Sequence, residues 1–256
     1  MIATMNAEWI KFRSVFANWV LVAIGVAFPI VVVVLVGSLG DIGIDSFGGV
    51  GAGRDLTELV TGTSIVTVFL LGSAATISLT AEFAHGTIRT TYAATPNRFR
   101  VLLAKLSVNS IIIAVTTAVA VTLAWLAGAI ILSGRDRSVS FTEVPEIRSA
   151  MLGVVVLAII VGWFGVGVGL VIRNQPAALV TVVLWPLLIE GLVAVALGLS
   201  GAEDATKWLP YGSSINALQV FPAEDSLGRP GAFIYFGGVS LAIVAFGWFL
   251  DNRRDA

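Results

Sequence analysis

The sequence predicts an all-α polytopic membrane protein with six transmembrane helices, an N-terminal interfacial helix and a short cytoplasmic helix between the second and third spans. Three observations carry this. Charged residues make up 12% of the 256-residue chain, about half the roughly 25% usual in soluble domains. Six stretches run for about 20 predominantly apolar residues, the length a helix needs to cross a bilayer. Lysine and arginine are unequally shared between alternate connecting segments, as the positive-inside rule requires of a multi-pass chain. Residues 1–256 read as a single transmembrane domain, with no repeat, low-complexity tract or soluble module.

Taken in order, Ile2, Met5, Trp9, Phe12 and Phe16 recur at helical spacing ahead of the first span. This pattern suits an interfacial helix over 2–16 with Trp9, Phe12 and Phe16 as its anchor. The competing reading is a first span that begins early with a charged, frayed end. The spans are expected at about 19–39, 59–81, 102–132, 150–172, 177–199 and 232–250. No small-residue cleavage site follows a short apolar core, so the first run is expected to stay as a helix. The third run is long, and Thr95-Pro96 ahead of it reads as an N-cap with proline at the first helical position. That helix should start in water and enter the membrane about two turns later. The loop over 200–231 holds semi-apolar pieces around Trp208 and Ile215 that are too short to span. Either short helices dip into the outer leaflet there, or a folded loop lies outside.

An even number of spans puts both termini on one side. The N-terminus, the 82–105 segment, the 173–176 turn and the C-terminus hold nine Lys/Arg: Lys11, Arg13, Arg89, Arg98, Arg100, Lys105, Arg173, Arg253 and Arg254. The opposite loops hold six: Arg54, Arg135, Arg137, Arg148, Lys207 and Arg229. The excess predicts that both ends are cytoplasmic.

Several constellations invite chemistry. Glu82-x-x-His85 has the i, i+3 spacing of carboxylate-bridged metal sites in bundles. It is the only such pair, His85 is the only histidine and there is no cysteine; no metal site is expected, and a polar turn at the membrane surface is the better reading. Gly162, Gly165, Gly167 and Gly169 resemble a phosphate loop only superficially, because they fall inside a span. Ala158, Gly162, Gly165 and Gly169 instead share one helix face, which suits close helix packing within the chain or across a dimer. Glu190 is the one ionisable residue deep inside a span. A charge there costs about 2.5–3.5 kcal/mol on insertion scales. Two readings stay open for it: a polar spot on a translocation path or gate, or a buried hydrogen bond that locks packing beside Pro186. The second span carries eight hydroxyls, which can line a polar path or bond back to their own helix, the latter being favoured. None of the three lysines follows a glycine as in G-x-x-x-x-G-K-[ST], so the chain has no P-loop nucleotide site.

The segment Glu82–Arg100 is compact, basic and proline-stopped. Gly86 permits a sharp departure from the second span and Thr87 can cap a new helix. A short helix from Ile88 to Ala94 would present Ile88 and Tyr92 on one side, as an anchor for a partner's groove. An ordinary loop whose basic residues meet anionic headgroups is the alternative. Glu82, Gly86-Thr87, Arg89-Thr90, Thr95-Pro96, Arg98 or Arg100 and Lys105 resemble the stretch after the second helix in ABC-2 type transporter permeases, and the six-span plan is similar throughout. The resemblance implies that the segment is a coupling helix, with Glu82, Gly86, Thr87, Ile88, Arg89, Tyr92, Thr95, Pro96, Arg98 and Arg100 as its coupling residues. It implies a non-enzymatic permease subunit of an exporter in the plasma membrane, with a substrate the sequence does not name. Its partners would be an ABC ATPase subunit in two copies, a second identical or related permease, and membrane lipids, with no nucleic acid. No cofactor is expected in this chain, while ATP and magnesium would be bound by the ATPase. Two other classes stand beside this one: a membrane-embedded lipid-modifying enzyme working through Glu190 or His85, and a non-transporting sensor or scaffold.

Overall fold

A computed structural model describes residues 1–39, 52–135, 145–223 and 225–253. Arg137 and Arg254 of the charge comparison, with most of the loops at 40–58 and 133–149, lie outside the described residues. The described chain is α-helical, with α1 (Ile2–Ser14), α2 (Phe16–Ser38), α3 (Ala52–Ala84), α4 (Ile88–Ala94), α5 (Arg98–Ser133) and α6 (Pro145–Ile172). The fifth span is α7 (Gln175–Leu184), a π-helical stretch (Trp185–Glu190) and α8 (Gly191–Leu199). A 3-10 turn (Glu203–Trp208), α9 (Pro210–Asn216) and α10 (Gly228–Arg253) follow. Among the described residues, six helices are long and apolar enough to cross a membrane. The protein is an all-α, multi-pass membrane protein, and each expected span falls within one of these helices.

Helix α6 is the core, because its glycines let neighbours approach on two sides. A Cβ on Gly165 would lie 2.9 Å from the Gly72 carbonyl of α3 and overlap Thr76 Oγ1. One on Gly169 would meet Thr80, and one on Gly162 would meet Ile113 of α5. On the other side, a Cβ on Gly167 would lie 2.9 Å from the Val244 amide of α10. The stripe of Ala158, Gly162, Gly165 and Gly169 therefore packs within the chain, and Ala158 is fully buried. Such close approach is how helices gain packing energy where lipid offers no hydrophobic drive.

Most hydroxyls of α3 bond back to their own helix. Thr63, Ser64, Thr76, Ser78 and Thr80 donate to carbonyls three or four residues back in their own helix. Thr67 differs, donating to the Gly25 carbonyl of α2 at 2.6 Å. Gly25 lies four residues before Pro29, which has no N–H to close the helical bond. The threonine of one helix thus satisfies a carbonyl that the proline of another leaves open.

Two expected helix starts are corrected. Helix α5 begins at Arg98, capped by Asn97, whose side chain accepts from the Arg100 amide at 3.0 Å. Thr95-Pro96 is not its cap; Thr95 closes α4 instead. Asn97, two residues beyond the expected cap, supplies that of α5. Thr87 precedes α4 in helical conformation with no side-chain cap, its hydroxyl turned back to the Glu82 carbonyl at 3.5 Å.

Between the fifth and sixth spans, α9 dips into the bundle and carries Tyr211 among Phe69, Phe164 and Phe236. Arg229 fixes the following turn by donating to the carbonyls of Ala217, Gln219 and Val220.

Candidate functional site

The charged side chains at one end of the bundle converge on α4. Helix α3 runs to Ala84 and ends in a turn at Gly86, whose φ of +69° is the left-handed conformation that glycine adopts without strain. Helix α4 then runs for seven residues before Pro96 and Asn97 start α5. The seven-residue helix is too short to be stable alone, so its position must come from what it touches.

Two networks hold it. The first joins α1, α3, α4 and α5. Lys105 of α5, buried about two turns beyond the start of its helix, donates to Glu82 at 2.7 Å, to Glu8 at 2.5 Å and to the Ser78 carbonyl at 3.1 Å. Lys11 of α1 donates to Glu8 at 2.8 Å, to Glu82 at 3.1 Å and to Thr91 of α4 at 3.2 Å. Thr91 in turn donates to the other oxygen of Glu82 at 3.3 Å. Two lysines and two glutamates thus balance in a quartet of which Glu8, Glu82 and Lys105 are buried and Lys11 is half-exposed, and the balance is what makes such burial tolerable. Burial works against the charge on Lys11, but the two carboxylates outweigh it and raise its pKa.

The second network joins α4, α5, α10 and the turn after α6. Asp251, buried near the end of α10, accepts from Tyr92 at 2.8 Å and from Arg173 at 2.5 Å. Arg98 donates to the Asp251 carbonyl and lays its guanidinium over the Tyr92 ring, 4.8 Å from the centroid. Arg173, in left-handed conformation at φ 54°, stacks on Phe83 at 4.9 Å. Burial, with the bond to Asp251, pushes the Tyr92 hydroxyl well above the usual tyrosine pKa.

These contacts reverse the expected face of α4. Ile88 is 3% exposed and the partly exposed Tyr92 gives its hydroxyl to Asp251, so this face is turned toward the chain's own helices. The physical reason is Asp251, whose carboxylate draws the tyrosine inward. Arg89, Thr90, Ala93 and Ala94 are the exposed positions of α4, with Gly86 and Thr87 before it and Pro96 and Arg100 after it. Phe12 likewise packs inward on Val108 and Ile112 instead of anchoring in lipid, while Trp9 is partly exposed and Phe16 largely so. Val15, extended at φ −96° and ψ 111°, breaks α1 from α2, so a separate N-terminal helix forms and no early span start occurs.

Glu82 and His85 do not act together. Glu82 is committed to the lysines and Thr91, while the His85 ring is exposed and bonded to the Ala81 carbonyl at 2.8 Å. At the other end of the bundle, Glu190 closes the π-helical stretch and accepts from Trp185 Nε1 at 3.0 Å, the Tyr211 amide at 3.1 Å and the Gly212 amide at 2.9 Å. It caps α9 and locks it to the fifth span, the geometry of the packing reading. A π-helical stretch in a span has a local cause here in Pro186, which cannot donate to the turn before it.

Sequence reasoning singled out Glu82, Tyr92, Arg98 and Glu190, and Lys105 as part of the resemblance, but took Lys11 and Arg173 only as charges to count and passed over Glu8 and Asp251. The available signal was position. Asp251, like Glu82, closes an apolar run, and Lys105 falls inside the apolar third run. No family model, curated protein or solved structure matches the chain.

Proposed function

We propose that the protein is the permease subunit of an ABC exporter of the ABC-2 type, with α4 as the coupling helix that docks on a separate ATPase subunit. The observation that carries this reading is the two-sided character of α4. Its inner face is tied through Thr91 and Tyr92 to α1, α3, α5, α10 and the α6–α7 turn, while its outer face of Arg89, Thr90, Ala93 and Ala94 is exposed. A short helix held this way is a lever, since force on its outer face reaches four of the six spans through ion pairs and hydrogen bonds. Small residues at 93 and 94 allow close approach, and Arg89 offers charge to an acidic groove.

The α4 end also holds Lys11, Arg13, Arg89, Arg98, Arg100, Lys105, Arg173 and Arg253, which favours placing this end and both termini in the cytoplasm. ATP binding in the partner pair would move α4 and rock the spans between inward- and outward-facing states. Glu190 and α9 would form the outer closure of the same bundle.

The test is co-expression with candidate Walker-motif ATPase chains from the same source, followed by purification in a mild membrane mimetic. The expected product is a stable complex of two permease and two ATPase chains that hydrolyses ATP. Purification of the chain without an ATPase would favour a sensor or scaffold.

A further inference from the structure

The lysine–glutamate quartet forms one side of a cavity of about 590 Å³, bounded by the α1–α2 bend, the end of α3 and the first turns of α5. Phe12, Ile77 and Val108 give it apolar walls, and Ser14, Val15 and Ala17 at its rim are exposed on the bend. Because the bend joins an interfacial helix to a span, the rim lies where headgroups meet acyl chains.

Hydrogen-bond accounting defines what fits. An ammonium group has three donors and no acceptor. Lys11 and Lys105 each already have three acceptors, so the cavity's cations have nothing left to give. The acceptors are not used up. A carboxylate offers about four lone-pair sites; Glu8 receives two bonds and Glu82 receives three. Asn18 donates its Nδ2 to the Phe12 carbonyl at 3.0 Å, and its buried Oδ1 has no partner. Asn109 spends an Nδ2 donor on Ser78 at 3.0 Å. An anion entering here would meet two carboxylates and find no free cationic donor.

We propose that this cavity binds the primary-ammonium head of an amphiphile, with its chain leaving past Val15 and Ala17 into the bilayer. The ammonium satisfies the surplus acceptors, including the Asn18 amide oxygen, and the alkyl chain covers the apolar wall. This inference stands whether or not the chain is a transporter, because it concerns only groups within it.

The test is photolabelling of the full chain in nanodiscs with a primary alkylamine carrying a diazirine in its chain. Adducts are expected at the α1–α2 bend and at Val108, mapped by peptide mass spectrometry. Dodecylamine should displace the label at a concentration at least tenfold lower than dodecyltrimethylammonium, which has the same charge but no N–H donor, or dodecanoate. Asn18→Leu should reduce that preference severalfold. Since Asn18 also ties the bend, Ala17→Trp at the exposed rim gives a second variant, expected to lower labelling at least tenfold without altering thermal stability. Competition by phosphatidylethanolamine but not phosphatidylcholine would identify a lipid headgroup as the source; competition by the single-chain amine alone would identify a free amine. Equal displacement by dodecylamine and dodecanoate, or labelling unchanged in Ala17→Trp, would overturn the proposal.

Discussion

The two ends of the bundle each bury a glutamate near a short helix, and they solve the same problem by different means. Glu82 is balanced by two lysines from two other helices and reaches α4 through Thr91. Glu190 is held by three neutral N–H donors, two of them the backbone of α9 itself. Oriented backbone amides can stabilise an acidic group without a counter-ion, but they do so locally. The ionic solution is longer-ranged, joining positions 97, 71 and 23 residues apart. One end is therefore built to link many helices, and the other to pin one.

The largest expected effect breaks the ionic end. Lys105→Met leaves Glu8 and Glu82 facing each other with only the half-exposed Lys11, and removing one partner of a buried pair costs about 3–5 kcal/mol. Thermal unfolding in detergent should show a large loss at neutral pH, partly recovered by adding Glu8→Gln. A loss no greater than that of a surface lysine would mean the quartet is not formed.

At the other end, Glu190→Leu strands two α9 amides and one indole N–H, and the expected cost is about 1–3 kcal/mol. Glu190→Gln keeps one acceptor oxygen and should cost less. Because no cation is involved, both losses should be insensitive to salt, which distinguishes this end from the other.

Alkaline pH sharpens the contrast. The pKa of Lys11 is raised above the ordinary 10.5, so its contribution is complete below that value and is lost as pH climbs through the higher folded value. Tyr92 is also raised, so from pH 10.0 upward the unfolded chain releases a proton that the folded chain keeps, and stability falls. A spin label at Met5→Cys, in a chain with no native cysteine, should gain mobility above about pH 10.5. A label at Trp208→Cys should not follow it.

The smallest effect concerns α2 and α3. Thr67→Val removes one hydrogen bond to the Gly25 carbonyl, at a cost of about 1 kcal/mol. In a Pro29→Ala background the helix can satisfy that carbonyl itself, so the cost should shrink. Equal costs in both backgrounds would separate the threonine from the proline.

The spans were legible because each is a long apolar run, a signal carried by every residue in it. Gly86, the short helix at 88–94 and the small-residue stripe of α6 were legible for a similar reason, being local patterns. What hid was direction. The i, i+4 pair Ile88 and Tyr92 marks a face, but that face is turned inward by Asp251, 159 residues away from Tyr92. The quartet hid likewise, since single charges at helix ends carry no mark of their partners. Glu190 stood out by depth alone, and its partners lie in a loop whose fold the hydropathy pattern left open. Thr95 reads as the cap of the third span, although Asn97 two residues on is at least as good a cap and the one used.

The most direct test compares the two faces of α4. Ala93→Asp on the exposed face and Tyr92→Phe on the latched face are purified with the proposed ATPase partner, and affinity and melting temperature are measured for each. Ala93→Asp is expected to weaken ATPase binding at least tenfold while leaving the melting temperature of the chain unchanged. Tyr92→Phe is expected to do the reverse, keeping the ATPase and lowering the melting temperature. Wild-type affinity in Ala93→Asp would contradict the assignment of α4 as the place where a partner's motion enters the bundle.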